Sequence, residues 1–384
     1  MKKIWQLIFI LSLINCTNIN NLRKIDIVNN LNEISQQKPN KSTIPLVIND
    51  KVIYFIEKYT KGGRNNFTET LKRGAPYFQN LREFFKSENL PLELIYLPII
   101  ESGFRYNAIS PKSASGIWQF MSGTAKLYGL HSDWWVDERR CFDKSTVAAA
   151  KHLKELYLRF NDWHLALASY NAGSGKVIKA IKKYKTKNFW EISKHKWNLL
   201  KKETLNYVPK FIATVIICEN LEKFGFYIET PVNNNFTPYE IVEIPDATDL
   251  EVIANCCNVD VEEIKKLNPE LKRWATPPKY NNFKIRIPYG TKEIFISNFN
   301  KIPPEERITY RRHKVLKGES IWSIASKYDV PRNIIIEMNN LKNPSKIRDG
   351  DYLIIPIKGL EKAKKIDEIL SKENEDYSKK HSRD

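Results

Sequence analysis

The last third of the chain states one pattern twice, and that repeat constrains the fold more than any other feature. The segment Asp249 to Asn268 aligns with Ser320 to Asn339. Leu250, Ile253, Ala254, Val259, Ile264, Leu267 and Asn268 stand opposite Ile321, Ile324, Ala325, Val330, Ile335, Met338 and Asn339. Within each copy the apolar residues recur at helical intervals. A strand-like stretch precedes each ("YEIVEIP", "HKVLKG"), and a short apolar strand ending in Ile-Pro follows (Phe283 to Pro288 and Tyr352 to Pro356). Two helices between two strands, in about fifty residues, is the predicted layout of each unit. At 384 residues the chain also exceeds one typical core, so two or three compact domains are expected.

Upstream, from Val52 to about residue 228, the texture is helical. "VIYFIEKYT", "FQNLREFF", "TVAAAKHLKELYLRF", "WHLALASY" and "YVPKFIATVIICENLEKF" carry apolar residues three and four apart. The expected class is therefore α+β, with a mainly helical domain over 51–230, a turn-rich break at "PVNNNFTP", βααβ units over 239–290 and 308–357, and a charged tail over 358–384. At the N-terminus, Lys2 and Lys3 precede an apolar stretch from Ile4 to Ile14 that is too short to span a bilayer and reads as a signal peptide. Leu13, Ile14, Asn15 and Cys16 resemble the lipobox of bacterial lipoproteins. That resemblance implies cleavage before Cys16, acylation of Cys16, and an exported protein held in the periplasm on a bacterial membrane, the outer one expected. The Asn/Lys/Gln-rich residues 17–50 read as a polar tether.

The formal charge of +18 and pI near 9.4 favour an anionic partner, whether nucleic acid, acidic headgroups or a carboxylate-bearing polymer. Export removes nucleic acid from that set. Lys, Asn and Ile are abundant throughout, so part of the charge is compositional. Cys141, Cys218, Cys256 and Cys257 are few for this length, and two are adjacent, so no disulfide framework is apparent. Cys218, in "FIATVIIC", reads as a core residue. The six histidines show no metal-ligand spacing, and neither a metal nor a cofactor is expected.

Chemistry concentrates in "LIYLPIIESGFRYNAISPKSASGIWQFMSGTAKLYGL". Pro91 is placed to start a helix, and Leu92, Leu94, Ile95, Leu97, Ile99 and Ile100 make it apolar nearly all round, hence buried. Glu101 lies at its end, where partial desolvation disfavours the anion and raises the pKa, as a general acid near neutrality needs. No other carboxylate occurs before Asp133, so a two-carboxylate glycosidase pair is not supplied locally. Alone, Glu101 reads first as a helix-end acid that caps a turn or pairs with Arg105. Its surroundings favour chemistry. Gly103, Gly116 and Gly123 permit tight turns, Ser110, Ser113 and Ser115 offer hydroxyls, and Gln119, Tyr170 and Asn171 could hold sugar hydroxyls and acetamido groups. Trp118, Phe120, Trp134 and Trp135 could stack on pyranose faces or fill a core.

This stretch closely resembles the family 1 lytic transglycosylases, in particular the membrane-bound type D enzymes that add C-terminal LysM repeats. Four motifs occur in the family's order: Glu101-Ser102, "GIWQ" (Gly116 to Gln119), "SYNAG" (Ser169 to Gly173) and "ETLNYV" (Glu203 to Val208). Trp118 stands where the family has Met. The second repeat unit, over Tyr310 to Pro356 with "VLKGESIWSIASKYDV", "NNL" and "RDGDYLIIP", resembles LysM domains. The first has "PDATDL" in place of the Gly-Asp/Glu-Ser/Thr turn and resembles a degenerate copy.

The resemblance implies a lysozyme-like fold and peptidoglycan glycan strands as substrate. It implies Glu101 as the catalytic acid and base, cleavage between N-acetylmuramic acid and N-acetylglucosamine, and a 1,6-anhydro product. By motif position, Ser102, Ser110, Gln119, Tyr170, Asn171 and Tyr207 would orient substrate and Glu101, and Met121 would line the floor. In the LysM unit, Gly318, Glu319 and Ser320 with Asn339, Asn340 and Leu341 would form the sugar groove. Two other readings stay open: a muramidase that hydrolyses the same bond, and an inactive wall-binding lipoprotein.

Overall fold

The computed structural model describes residues 27, 30–31, 43–195, 199–228, 238–277, 282–307, 310–339 and 341–356. The signal segment with Cys16, most of residues 17–42, Asn340 and the 358–384 tail lie outside these. The chain divides into two units, residues 1–132 with 138–236, and 133–137 with 237–384.

The first unit is helical: α1 (Asp50–Thr60), α2 (Arg64–Ser87), α3 (Leu97–Glu101), α4 (Ser122–Leu127), α5 (Phe142–Phe160), α6 (Trp163–Ala172), α7 (Ser174–Tyr184), α8 (Phe189–Lys194) and α9 (Lys202–Cys218). Caps set several starts. Asn49 accepts from the backbone of Lys51 and Val52 before α1, and Asp162 accepts from Leu165 N at 2.8 Å before α6. Helix α5 stops where Asn161 turns left-handed, at φ +49°. α6 and α9 read apolar on nearly every side, and they are buried accordingly. Leu165 to Ala168, Val208, Phe211, Ile212, Ala213 and Val215 expose nothing.

The segment expected to start a helix at Pro91 instead forms a 3₁₀ turn over Leu92–Tyr96 before α3. Pro98, near the start of α3, offers no N–H to extend the preceding turn. A second difference concerns the stretch read as a tether. Ile27, Leu31 and Ile44 are buried in the core of the helical unit, and Glu93 accepts from the backbone of Thr43 at 3.2 Å. Four-residue spacing of Ile27 and Leu31 is one helical turn, a signal hidden by the polar residues around it.

The second unit contains the repeat. Its first copy runs β1 (Tyr239–Ile244), α10 (Leu250–Cys257), α11 (Val261–Leu267) and β2 (Phe283–Pro288). After α12 (Lys292–Phe299), the second runs β3 (Tyr310–Lys314), α13 (Ile321–Tyr328), α14 (Arg332–Met338) and β4 (Tyr352–Pro356). Each strand pair is antiparallel, Tyr239 facing Pro288 and Tyr310 facing Pro356. The aligned Asn268 and Asn339 do the same work. The Asn268 amide donates to Ile264 O (2.8 Å) and Arg286 O (2.7 Å) while its oxygen accepts from Arg286 N (2.9 Å). Asn339 repeats this with Ile335 O, Ile354 O and Ile354 N. One side chain thus ties the end of the second helix to the closing strand in each copy.

Helix α12 lies beyond the boundary expected at residue 290. Phe295 and Phe299 belong to the first copy's core, and the Arg307 guanidinium covers Phe299 at 4.2 Å. The five residues Asp133–Asp137 also belong to this unit. Trp135 and Val136 are buried in the core that the second copy shares with Ala275, and Lys272 N donates to Trp135 O at 2.8 Å. All four described cysteines are free thiols. No helix among the described residues is long and apolar enough to cross a membrane.

Candidate active site

Glu101 ends α3, whose preceding residues Leu94, Ile95 and Leu97 are wholly buried, so the carboxyl is carried to the edge of the core and left half-buried there. Ser102, 8 % exposed, donates its hydroxyl to Ile117 O at 3.0 Å and thereby fixes the chain after Glu101 against the "GIWQ" turn. That turn is tight. A Cβ on Gly116 (φ +82°) would lie 1.8 Å from Arg139 O, and Gln119 sits at φ +50°. Arg139 clamps its far side, donating to Ser113 O (2.8 Å) and Phe120 O (3.0 Å).

Helices α6 and α9 close the site. Tyr170 donates to Trp118 O at 2.8 Å, and Tyr207, 5 % exposed, donates directly to Glu101 Oε1. Thr204 donates to Asn171 Oδ1 at 2.8 Å, linking the "SYNAG" and "ETLNYV" motifs. Behind Tyr170 the His152 ring packs 5.1 Å away, with Tyr128 on it at 4.9 Å, and burial holds His152 down at about 4. His152 is therefore a neutral filler near neutral pH, and no proton donor.

Burial pushes the Glu101 carboxyl up to about 7 from 4.5. The Tyr207 hydrogen bond opposes this, the charge of Glu203 adds to it, and Lys210 opposes it. Both phenols are themselves held well above the usual tyrosine range, first by burial and then by the Glu101 charge, so they remain hydrogen-bond donors. Near neutrality the site thus holds a carboxyl shared between its acid and base forms, steadied by one phenol. Such a group can donate a proton and take one back.

Among the expected residues, Glu101, Ser102, Gln119, Tyr170, Asn171 and Tyr207 are joined by these contacts or by the turn they build. The Gln119 amide is engaged in that turn, donating to Gly116 O (2.8 Å) and Ala108 O (3.3 Å). Ser110 Oγ accepts from Ala114 N at 3.0 Å within its own loop, and Met121 is 44 % exposed. Of the aromatic residues considered for sugar stacking, Trp118, Phe120 and Trp135 are core instead, and Trp134 is half-buried against a core. Trp118 is fully buried, with its indole N–H on Thr146, and Phe120 is 3 % exposed. Trp135 is buried in the other unit, and the Trp134 face is covered by Arg273 at 4.0 Å. Large rings this dense have more to gain from burial than from solvent.

Glu203 and Lys210, whose charges act on Glu101, were not anticipated. Their spacing about Tyr207, four residues before and three after on α9, places all three on one helix face and was the available signal.

In the second repeat copy the polar side chains assigned to a sugar groove are engaged in the fold. Glu319 accepts from Leu316 N and faces His313 Nε2, both at 2.8 Å, and His313 Nδ1 meets Tyr328 OH at 2.9 Å. Ser320 caps α13 in a reciprocal pair with Ser323, and Asn339 bridges to β4 as described. Leu341 packs on the second copy's core, while Gly318 (φ +89°) has open space around its Cα.

Three family models match this chain: the transglycosylase SLT domain over residues 81–193, the LysM-like domain of lytic transglycosylase MltD over 239–303, and the LysM domain over 313–356. The second match extends past residue 290 and takes in α12. Membrane-bound lytic murein transglycosylase D of Escherichia coli (strain K12) is 29 % identical over 321 residues, which cover 80 % of this chain and 69 % of that one. Among solved structures, the chain is similar to an inactive mutant of the lytic transglycosylase Slt of Pseudomonas aeruginosa (TM-score 0.33, 23 % identity, 38 % of this chain and 24 % of that one). It is also similar to the 70 kDa soluble lytic transglycosylase Slt70 of Escherichia coli (TM-score 0.34, 18 % identity, 45 % and 31 %). The chain thus carries, in this order, a transglycosylase SLT domain, a LysM-like domain of the MltD type and a LysM domain.

Proposed function

We propose that the protein cleaves the β-1,4 bond between N-acetylmuramic acid and N-acetylglucosamine in peptidoglycan and closes a 1,6-anhydro ring on the muramyl product. The observation that carries this reading is the half-buried carboxyl of Glu101, raised to about 7 and held by Tyr207. The Glu101 proton passes to the glycosidic oxygen as the bond to C1 breaks, and the 2-acetamido group of the muramyl sugar supports the positive charge at C1. The resulting carboxylate then takes the proton of the C6 hydroxyl, whose oxygen bonds to C1. One group serves both steps and ends protonated as it began. Ser102, Tyr170 and Tyr207 hold the frame, while Ser110, Gln119, Met121 and Asn171 meet the sugar.

A water-using muramidase needs a second carboxylate or a positioned water. Glu203 is the carboxylate whose charge acts on Glu101, and it is exposed, with Lys112 at 3.8 Å. Mass spectrometry of soluble products separates the two reactions, because anhydro products are one water lighter than reducing-end products. Reducing-end products alone would refute the ring closure, and no products at all would favour a binding lipoprotein. The LysM unit holds the enzyme on its wall substrate, raising local concentration. Acylation of Cys16 anchors it to a periplasmic membrane face; acyl-chain labelling that survives Cys16→Ala would remove the anchor from this reading.

A further inference from the structure

Half of the protein's net charge sits in one short stretch. Residues 174–202 contain ten lysines and one acidic residue, Glu191, which gives nine of the chain's net eighteen positive charges. Compositional drift spreads charge over a sequence and does not concentrate it this way.

The stretch begins with α7, whose Val177 and Ala180 are buried, while Lys176, Lys179, Lys182 and Lys183 are exposed. It ends with Lys201 and Lys202, also exposed, at the start of α9. Elsewhere in the same unit, lysines meet acids: Lys72 with Glu69, Lys144 with Glu138 and Lys154 with Glu88. None of these six is in an ion pair among the described residues.

The stretch is also tied to the site at both ends. It leaves the "SYNAG" motif through Gly173, which caps α7, and it returns into "ETLNYV". Asn171 and Thr204, just outside its two ends, share a hydrogen bond at 2.8 Å, so the basic segment is a loop-out closed at the active site.

We propose that this face, centred on Lys179, Lys182 and Lys183, receives the carboxylates of the stem peptides on the glycan strand whose backbone lies at Glu101. The inference rests on the wall-cleaving reading given above. Exposed ammonium groups on long flexible stems suit mobile peptide carboxylates, which need charge more than fixed geometry. An acidic bilayer is the other polyanion a basic face could meet. Closure of the segment on the site's own hydrogen bond favours the substrate.

The test compares the full chain with K179E/K182E/K183E, using K179Q/K182Q/K183Q as the charge-neutral comparator. Two substrates are used, peptidoglycan strands bearing stems and the same strands stripped of stems by an amidase. The ratio of cleavage rates, stem-bearing over stem-free, should fall about tenfold at low salt in the reversal variant, less in the neutral one, and lose much of its salt dependence. Affinity of both strand types is measured in parallel in a Glu101→Gln background, and it should show the same discrimination. An unchanged ratio overturns the proposal. So does a variant that loses only its binding to phosphatidylglycerol vesicles, which would assign the face to a membrane. If the parent enzyme releases no products, the wall-cleaving reading fails, while the affinity arm still decides whether the face reads stems.

Discussion

Replacing Glu101 with Gln should inactivate the enzyme and stabilise it, and the second effect follows from the same burial as the first. In the unfolded chain Glu101 titrates near 4.5, whereas in the folded protein it titrates near 7. Between those values the folded state binds the proton and the unfolded state does not, so folding stability falls as pH rises through that window. At about 1.4 kcal/mol per unit, the cost reaches a ceiling of about 3 kcal/mol by pH 8, and partial solvent contact brings it nearer about 2. Glutamine cannot ionise and keeps an oxygen to accept from Tyr207. At pH 8, Glu101→Gln should therefore raise the transition of the helical unit by roughly 4–8 °C, and at pH 4, where the carboxyl is protonated in both states, by almost nothing. Scanning calorimetry at the two pH values measures the difference, and wall digestion should be slower by a factor on the order of 10² to 10⁴. A variant no more stable than the parent at pH 8 would show that the carboxylate is not held at a cost, and the case for Glu101 as a poised acid would fail with it.

Other substitutions test the frame. Wild-type cleavage should decline as pH rises through about 7, and Tyr207→Phe, by removing the bond that favours the carboxylate, should move that decline to higher pH while slowing the reaction about tenfold or more. Gly116→Ala should destabilise the helical unit by about 3 kcal/mol, read by urea titration, because the new methyl meets Arg139 O in a left-handed turn. Asn339→Ala should cost the second repeat copy about 2 kcal/mol and reduce retention on sedimented wall without changing the mass of the products, since three backbone partners lose their mate.

The repeat was legible because both copies bury the same positions, and a βααβ unit leaves a helical period between two alternating ones. Helix α12 was not legible. Its apolar residues Phe295 and Phe299 are one turn apart, too short a run to tell from a linker until the core they complete is known. The segment Asp133–Asp137 failed for a related reason. Two adjacent tryptophans announce burial, but a single sequence does not say which core receives them, and here it is one assembled more than a hundred residues later.

At the candidate active site the placement of the Glu101 carboxyl was legible and its control was not. An apolar run ending in Glu101 states by itself that the acid sits at the edge of a core, so the direction of its shift follows from local sequence. How far it shifts is set by α9. Tyr207 and Lys210 favour the carboxylate, while burial and Glu203 favour the acid. Three of those four influences lie on one face of a helix some hundred residues downstream, where only the fold brings them to Glu101. In the proposed reaction the balance has a functional reason. Burial without Tyr207 would leave an acid too weak to protonate the glycosidic oxygen readily, and a fully solvated carboxyl would lie ionised near neutrality with no proton to give. A reaction that asks one group to donate and then accept is served by a pKa between those limits, and opposed influences from one helix place it there.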